Sequence, residues 1–179
     1  MRLVPVLLVA LAIPATAEAR PFTISAQGSA TGFGEVRAIG GFRPAADPTY
    51  AAALATFGDP DSERSRFRGT SCRVAWHGQG LKIAFANFGG GSACNPDLGR
   101  SQAARAYGQR WRTVRGLRIG NRLGRLRSLY PNATRHGRVW WLIRAVSLIG
   151  ETHRYPVLAA TVRGARVRSF SVYIGAAGD

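Results

Sequence analysis

Cysteine, histidine, lysine and acidic residues are all scarce in this chain of 179 residues: two cysteines, three histidines, one lysine and nine carboxylates. Two cysteines are too few for a disulfide-scaffold peptide or a four-ligand zinc ribbon. Three histidines leave little material for acid–base catalysis. Apolar runs are short, and none reaches the roughly 18 residues that a membrane-spanning helix needs. The remaining composition, 46% apolar and 19% charged, excludes a disordered, collagen-like or coiled-coil protein.

What is present begins with a leader. Arg2 supplies a positive n-region, Leu3 to Ile13 a short apolar stretch, and Ala17-Glu18-Ala19 an A-x-A cleavage site. Residues 1–19 are therefore expected to be a signal peptide, which makes the protein secreted (extracellular or periplasmic) with no transmembrane segment. An oxidising compartment makes a Cys72–Cys94 disulfide the expected state of the two cysteines. A metal or reactive-thiol role lacks the C-x-x-C spacing or a nearby histidine.

Charge is lopsided. The formal net charge is +16, and residues 100–179 hold sixteen arginines against Glu151 and Asp179. Such a field attracts nucleic acid, anionic polysaccharide, acidic lipid or an acidic protein. GC-rich coding sequence would also favour arginine over lysine, but it does not account for the shortage of acids.

Along the chain, Phe22–Ser25 and Glu35–Ile39 read as strands. Asp47 as N-cap, Pro48 at the first helical position and Gly58 at the exit define a helix with Tyr50, Ala53, Leu54 and Phe57 on one face. A Gly78-Gln79 turn then pairs Trp76 with Leu81, Val74 with Ile83 and Cys72 with Phe85 on one face, leaving Arg73, Ala75, Lys82 and Ala84 on the other. Residues 87–99 form a glycine-rich loop. A second helix capped by Asn121 carries Leu123, Leu126, Leu129 and Tyr130 and stops at Pro131. Strands Val139–Leu148, Tyr155–Val162 and Arg166–Ile174 follow, with Gly164-Ala165 pairing Ala159 with Phe170 and Val157 with Val172. The expected fold class is α+β, two tandem helix-plus-antiparallel-sheet modules with one disulfide: residues 20–110 as the first module and 111–179 as the second.

This pattern, in Asp47 to Pro60 with Cys72 to Phe85 and again in Gly120 to Pro131 with Val139 to Ile174, resembles the β-lactamase-inhibitor-protein-like group. It is similar in outline to small outer-membrane assembly lipoproteins. The resemblance implies non-catalytic modules that bind other proteins through a sheet face and loops. Only the first half here carries a cysteine pair, whereas each copy in that inhibitor does, and none of its contact residues matches a position here.

No catalytic constellation emerges. His77 adjoins the hairpin turn, His136 lies in an expected turn and His153 lies beside Glu151, none within a nucleophile motif. Asp59, Asp61 and Glu63, beside Arg64, Arg66 and Arg68, read as a charge-balanced surface loop. No cofactor and no metal site are expected. The candidate binding residues are Trp111, Arg112, Trp140, Trp141 and Arg144, because a tryptophan exposed beside arginine suits a protein hot spot or stacking on a sugar or base. The expected function is non-catalytic binding of a protein or an envelope component, with an unknown partner and oligomeric state. An electrostatic binder of an anionic polymer is the alternative, and a small secreted hydrolase the minor one.

Overall fold

A computed structural model describes residues 21–147 and 153–174. Strands β1 (Thr23–Gln27) and β2 (Glu35–Ile39) precede helix α1 (Tyr50–Phe57), followed by β3 (Ser62–Arg66), β4 (Ser71–Trp76), β5 (Leu81–Ala86) and β6 (Arg100–Ala106). After the short β7 (Arg112–Thr113) come α2 (Leu123–Leu129), β8 (Thr134–His136), β9 (Val139–Ser147), β10 (His153–Arg163) and β11 (Arg166–Tyr173).

The strands form two sheets. One is three-stranded, in the order β2-β1-β7, with β1 and β7 parallel. The other is a continuous eight-stranded antiparallel sheet in the order β3-β4-β5-β6-β11-β10-β9-β8. Its midline is the β6–β11 pairing, in which Ala106 faces Phe170, Arg105 faces Ser171 and Ala104 faces Val172. The expectation of an α+β protein of two helix-plus-sheet modules is thereby corrected. Among the described residues strand accounts for 48% and helix for 12%, and the two α-helices span only eight and seven residues. Residues 62–66, which read as loop, and residues 100–106, which carry no apolar periodicity, are strands, and they enlarge the sheet at the expense of the modular picture.

The β4–β5 hairpin forms in the register that its apolar alternation dictates, Cys72 opposite Phe85, Val74 opposite Ile83 and Trp76 opposite Leu81. A two-residue II′ turn at Gly78-Gln79, the type expected from the glycine at its first position, would need a positive φ at Gly78; the positive angle falls on Gly80 instead (φ +63°), so the turn is of another type. In the β10–β11 hairpin the expected register is off by one. Ala160, not Ala159, faces Phe170, and Leu158 faces Val172, because a bulge between Thr161 and Val162 leaves Arg168 without a partner residue on β10. Both helix caps also differ. Thr49 caps α1, its side chain accepting from the Ala52 N–H, while Asp47 accepts from the Thr49 N–H; Gly58 ends the helix as expected. Arg122, with no side-chain cap bond, starts α2, and Asn121 accepts from the Arg118 N–H instead.

One apolar core lies against one face of the large sheet. Tyr50 and Phe57 of α1 pack on Phe85 and Trp76 at ring separations of 4.8 and 5.3 Å. Leu126 of α2 and Ile24, Val36 and Ile39 of the small sheet are buried in the same cluster. The β1–β2 loop approaches β9 and β10 so closely that a Cβ on Gly34 would lie 2.1 Å from Val157 Cγ2 and 2.9 Å from Ala145 Cβ. The Cys72–Cys94 disulfide forms, with Cα atoms 5.1 Å apart, and ties the 87–99 loop to the start of β4. No helix among the described residues is long and apolar enough to cross a membrane.

Candidate functional site

Helices and small sheet cover one face of the large sheet; the other, open face is the candidate site. Strand alternation sends Cys72, Val74 and Trp76 into the core, and so sends Arg73 and Ala75 the opposite way. On this open face the pairings align one transverse row across all eight strands: Ser62, Ala75, Lys82, Arg105, Ser171, Ala159, Trp141 and Thr134. A second row runs Arg64, Arg73, Ala84, Ala103 and Tyr173. Between them lies a shallow trough of about 600 Å³. Ala75, Ala84, Ala103 and Ala159 contribute its floor, and Arg64, Arg66, Arg73, Lys82 and Arg105 rise around it.

The electrostatics are one-sided. Among the described residues no Asp or Glu lines the trough. Among the described residues the ion pair is Arg37–Glu35, on the small sheet. Glu63, the acid nearest in sequence, turns to the covered side and accepts a 2.6 Å bond from the Tyr50 hydroxyl. Asp61 accepts from the His77 backbone N–H. Among the described residues the contacts of the trough cations are with neutral groups: Arg105 donates to Ser169 Oγ at 3.2 Å, and Lys82 lies 5.6 Å from the centre of the Tyr107 ring. Burial, and secondarily the charge of Asp61, holds the Tyr107 phenol above its ordinary pKa, so it stays neutral beside the trough. Its oxygen lies 3.0 Å from His77 Nδ1.

Two pairs deserve an energetic account. Arg64 faces Arg73 across β3 and β4, and Lys82 faces Arg105 across β5 and β6. Like charges directly opposite one another in a sheet are unfavourable, by roughly 0.2–1 kcal/mol a pair. A sheet that places two such pairs on an open face, over small residues, holds positive potential ready for an anionic surface.

The five candidate residues read from the sequence do not form one site. Trp111 is 1% exposed, precedes β7, and donates its indole N–H to the Gln79 carbonyl at 2.7 Å. Trp140 lies on the covered face with the Arg127 guanidinium 5.2 Å from its ring centre. Trp141 points to the open face at the far end of the central row, and His136 stacks on it at 3.8 Å. Arg144 faces Pro156 and borders a smaller depression with Gly28, Ser29 and Arg154. Arg112 donates to Thr23 Oγ1 at 3.3 Å and, with Arg118 and Arg125, lines a separate basic hollow. Sequence reasoning passed over Arg64, Arg66 and Arg105, although it had already placed Arg73 and Lys82 on the face away from the core.

The one group of three possible metal ligands among the described residues is Glu63, Cys72 and Cys94, and its two sulfurs are joined in the disulfide. The Glu151–His153 pairing considered from the sequence involves residue 151, which lies outside the described residues. The chain matches no protein-family model, no curated protein and no solved structure at a significant level.

Proposed function

We propose that this is a secreted, non-catalytic binding protein whose open sheet face takes up an acidic protein surface. The observation that carries the reading is the pair of like-charge oppositions, Arg64 with Arg73 and Lys82 with Arg105, over an alanine floor that no carboxylate among the described residues lines. Small floor residues let a partner's side chains reach the sheet, while the cations around them steer and orient it. Trp141, on the same face, supplies an aromatic contact of the kind that anchors interfaces. Export through the leader at residues 1–19 belongs to the same proposal, and the disulfide agrees with an oxidising compartment.

The test is a titration of isotope-labelled protein with a glutamate-rich peptide at low and moderate salt, mapped by amide chemical shifts. The expected result is perturbation at Ala75, Lys82, Ala84, Ala103 and Arg105, abolished in Arg73→Gln/Lys82→Gln. Perturbations confined to the helix side would sink the reading. A second reading, an anionic polymer tracking across several basic sites, draws on the separate hollow of Arg112, Arg118 and Arg125. It is distinguished by a DNA oligonucleotide or anionic polysaccharide binding with a steep salt dependence and shifting both regions together.

A further inference from the structure

At one end of the large sheet, β3 turns into β4 and β5 leaves for β6, and two phenylalanines there stand in water. Phe67 and Phe88 are 75% and 74% exposed, the most exposed large apolar side chains among the described residues, and Leu98 in the second segment is 39% exposed. The two segments are fastened to each other. The Ala93 N–H donates to the Gly69 carbonyl at 2.7 Å, the Asn87 N–H donates to the Thr70 carbonyl at 3.0 Å, and the Cys72–Cys94 disulfide joins them covalently. The rings are thus carried on a braced platform.

The backbone beneath Phe67 is strained. Phe67, Arg68 and Gly69 have φ of +51°, +55° and +94°, three successive left-handed residues of which only the glycine adopts that conformation freely. The turn is closed by the Thr70 N–H and hydroxyl, both donating to the Phe67 carbonyl. Strain held beneath a ring that is three-quarters exposed points to a use outside the chain. The surroundings state what kind. Arg66 and Arg68 flank Phe67 in sequence and are exposed, exposed Arg100 ends the second segment opposite Ala86, two residues before Phe88, and Asp97 is the only acid in the two segments.

We propose that this tip docks the protein on an anionic lipid surface, Phe67 and Phe88 entering the headgroup layer while Arg66, Arg68 and Arg100 engage its phosphates. Shallow peripheral binding needs an apolar signal together with a basic one, and both are present here within two turns. A protein hot spot is centred in a well-packed pocket from which water is excluded, whereas these two rings project into solvent from glycine-bearing turns with no pocket around them. The tip shares Arg66 with the rim of the trough, but Phe67, Phe88, Arg68 and Arg100 lie outside the trough lining, and the inference does not depend on what the trough binds.

The test is co-sedimentation of the purified protein with phosphatidylcholine vesicles, with and without one third phosphatidylglycerol, comparing proteins with the same N-terminus. Binding to the anionic vesicles is expected, and partial burial of each ring is worth about tenfold in partitioning, so Phe67→Ala/Phe88→Ala lowers it about a hundredfold. Phe88→Trp should also gain emission that brominated lipid chains quench beyond the wild-type background. Should Phe67→Ala unfold, Phe88→Ala and Phe88→Trp carry the test alone. Absence of wild-type binding, equal binding by the alanine variants, or a Phe88→Trp signal that the brominated lipid does not reach would each overturn the proposal. The last pattern is the one a protein hot spot would give.

Discussion

Removing one member of a like-charge pair on the open face should stabilise the fold while weakening what the face is for. Arg73→Gln is the cleanest perturbation, since Arg73 is exposed and faces Arg64 directly across the β3–β4 ladder. Two unit charges roughly 7 Å apart in water repel by about 0.6 kcal/mol, within the range found for opposed like charges in sheets. Arg73→Gln should therefore raise unfolding stability by about 0.5 kcal/mol at low ionic strength. For a chain of this size that is a rise in Tm of about 1–2 °C. The gain should fade near 1 M salt, where the screening length shrinks to about 3 Å. The assay is urea unfolding of wild type, Arg64→Gln, Arg73→Gln and the double variant at low and high salt. This cycle isolates the pair from the changed side chains themselves. A coupling energy indistinguishable from zero at low salt, or one that salt does not change, would refute the electrostatic account of the trough.

Other outcomes follow from the same geometry. Replacing both Cys72 and Cys94 by alanine opens a loop of 22 residues and should cost about 3 kcal/mol in denaturant unfolding. Gly34→Ala must place a methyl against Val157 and Ala145, and should lower stability by about 1–3 kcal/mol, which calorimetry would show. Burial, then the hydrogen bond to Glu63 and the charges of Glu63 and Asp59, push the Tyr50 phenol well above its ordinary value of 10.0. Its contribution is complete below pH 10 and declines as pH rises from there toward the folded value, so Tyr50→Phe should flatten the alkaline limb of a stability–pH profile. Hydrogen bonds from Thr49 hold the Asp47 carboxyl below its ordinary value of 3.8. That contribution is in place above about pH 4 and lost as pH falls through the folded value. Asp47→Asn should therefore lose the most stability at neutral pH, with the difference from wild type narrowing in acid.

The β4–β5 hairpin was legible to the residue because its alternation is strict. Cys72, Val74 and Trp76 leave only one register that buries them all, and the same arithmetic put Arg73, Ala75, Lys82 and Ala84 on the opposite side. The rest of the trough was hidden by its own composition. β3 reads Ser-Glu-Arg-Ser-Arg and β6 reads Arg-Ser-Gln-Ala-Ala-Arg-Ala, and neither shows apolar periodicity. An edge strand such as β3 buries little, and a strand with an open alanine floor carries few large apolar residues, so both lack the usual signal. Trp111 misled for the converse reason. Its arginine neighbours in sequence suggested a surface, but its indole is a core group whose partner, Gln79, is distant in the chain. The shift in the β10–β11 hairpin was beyond reach because the bulge at Arg168 has no marker in the sequence.

The midline of the large sheet also carries a consequence for how the protein is made. Every other pairing in that sheet joins strands consecutive in the chain, whereas β6 and β11 meet across roughly 65 residues. Local hairpins close in microseconds, but a ladder between distant segments must wait for the intervening chain to be ordered. Arg105 lies on one side of this midline and Ser171 and Ala159 on the other, so the trough has no complete floor until the ladder zips. A nascent chain released before β11 is made would thus expose its cations without the surface that gives them direction. Recognition by the open face becomes a property of the finished chain alone.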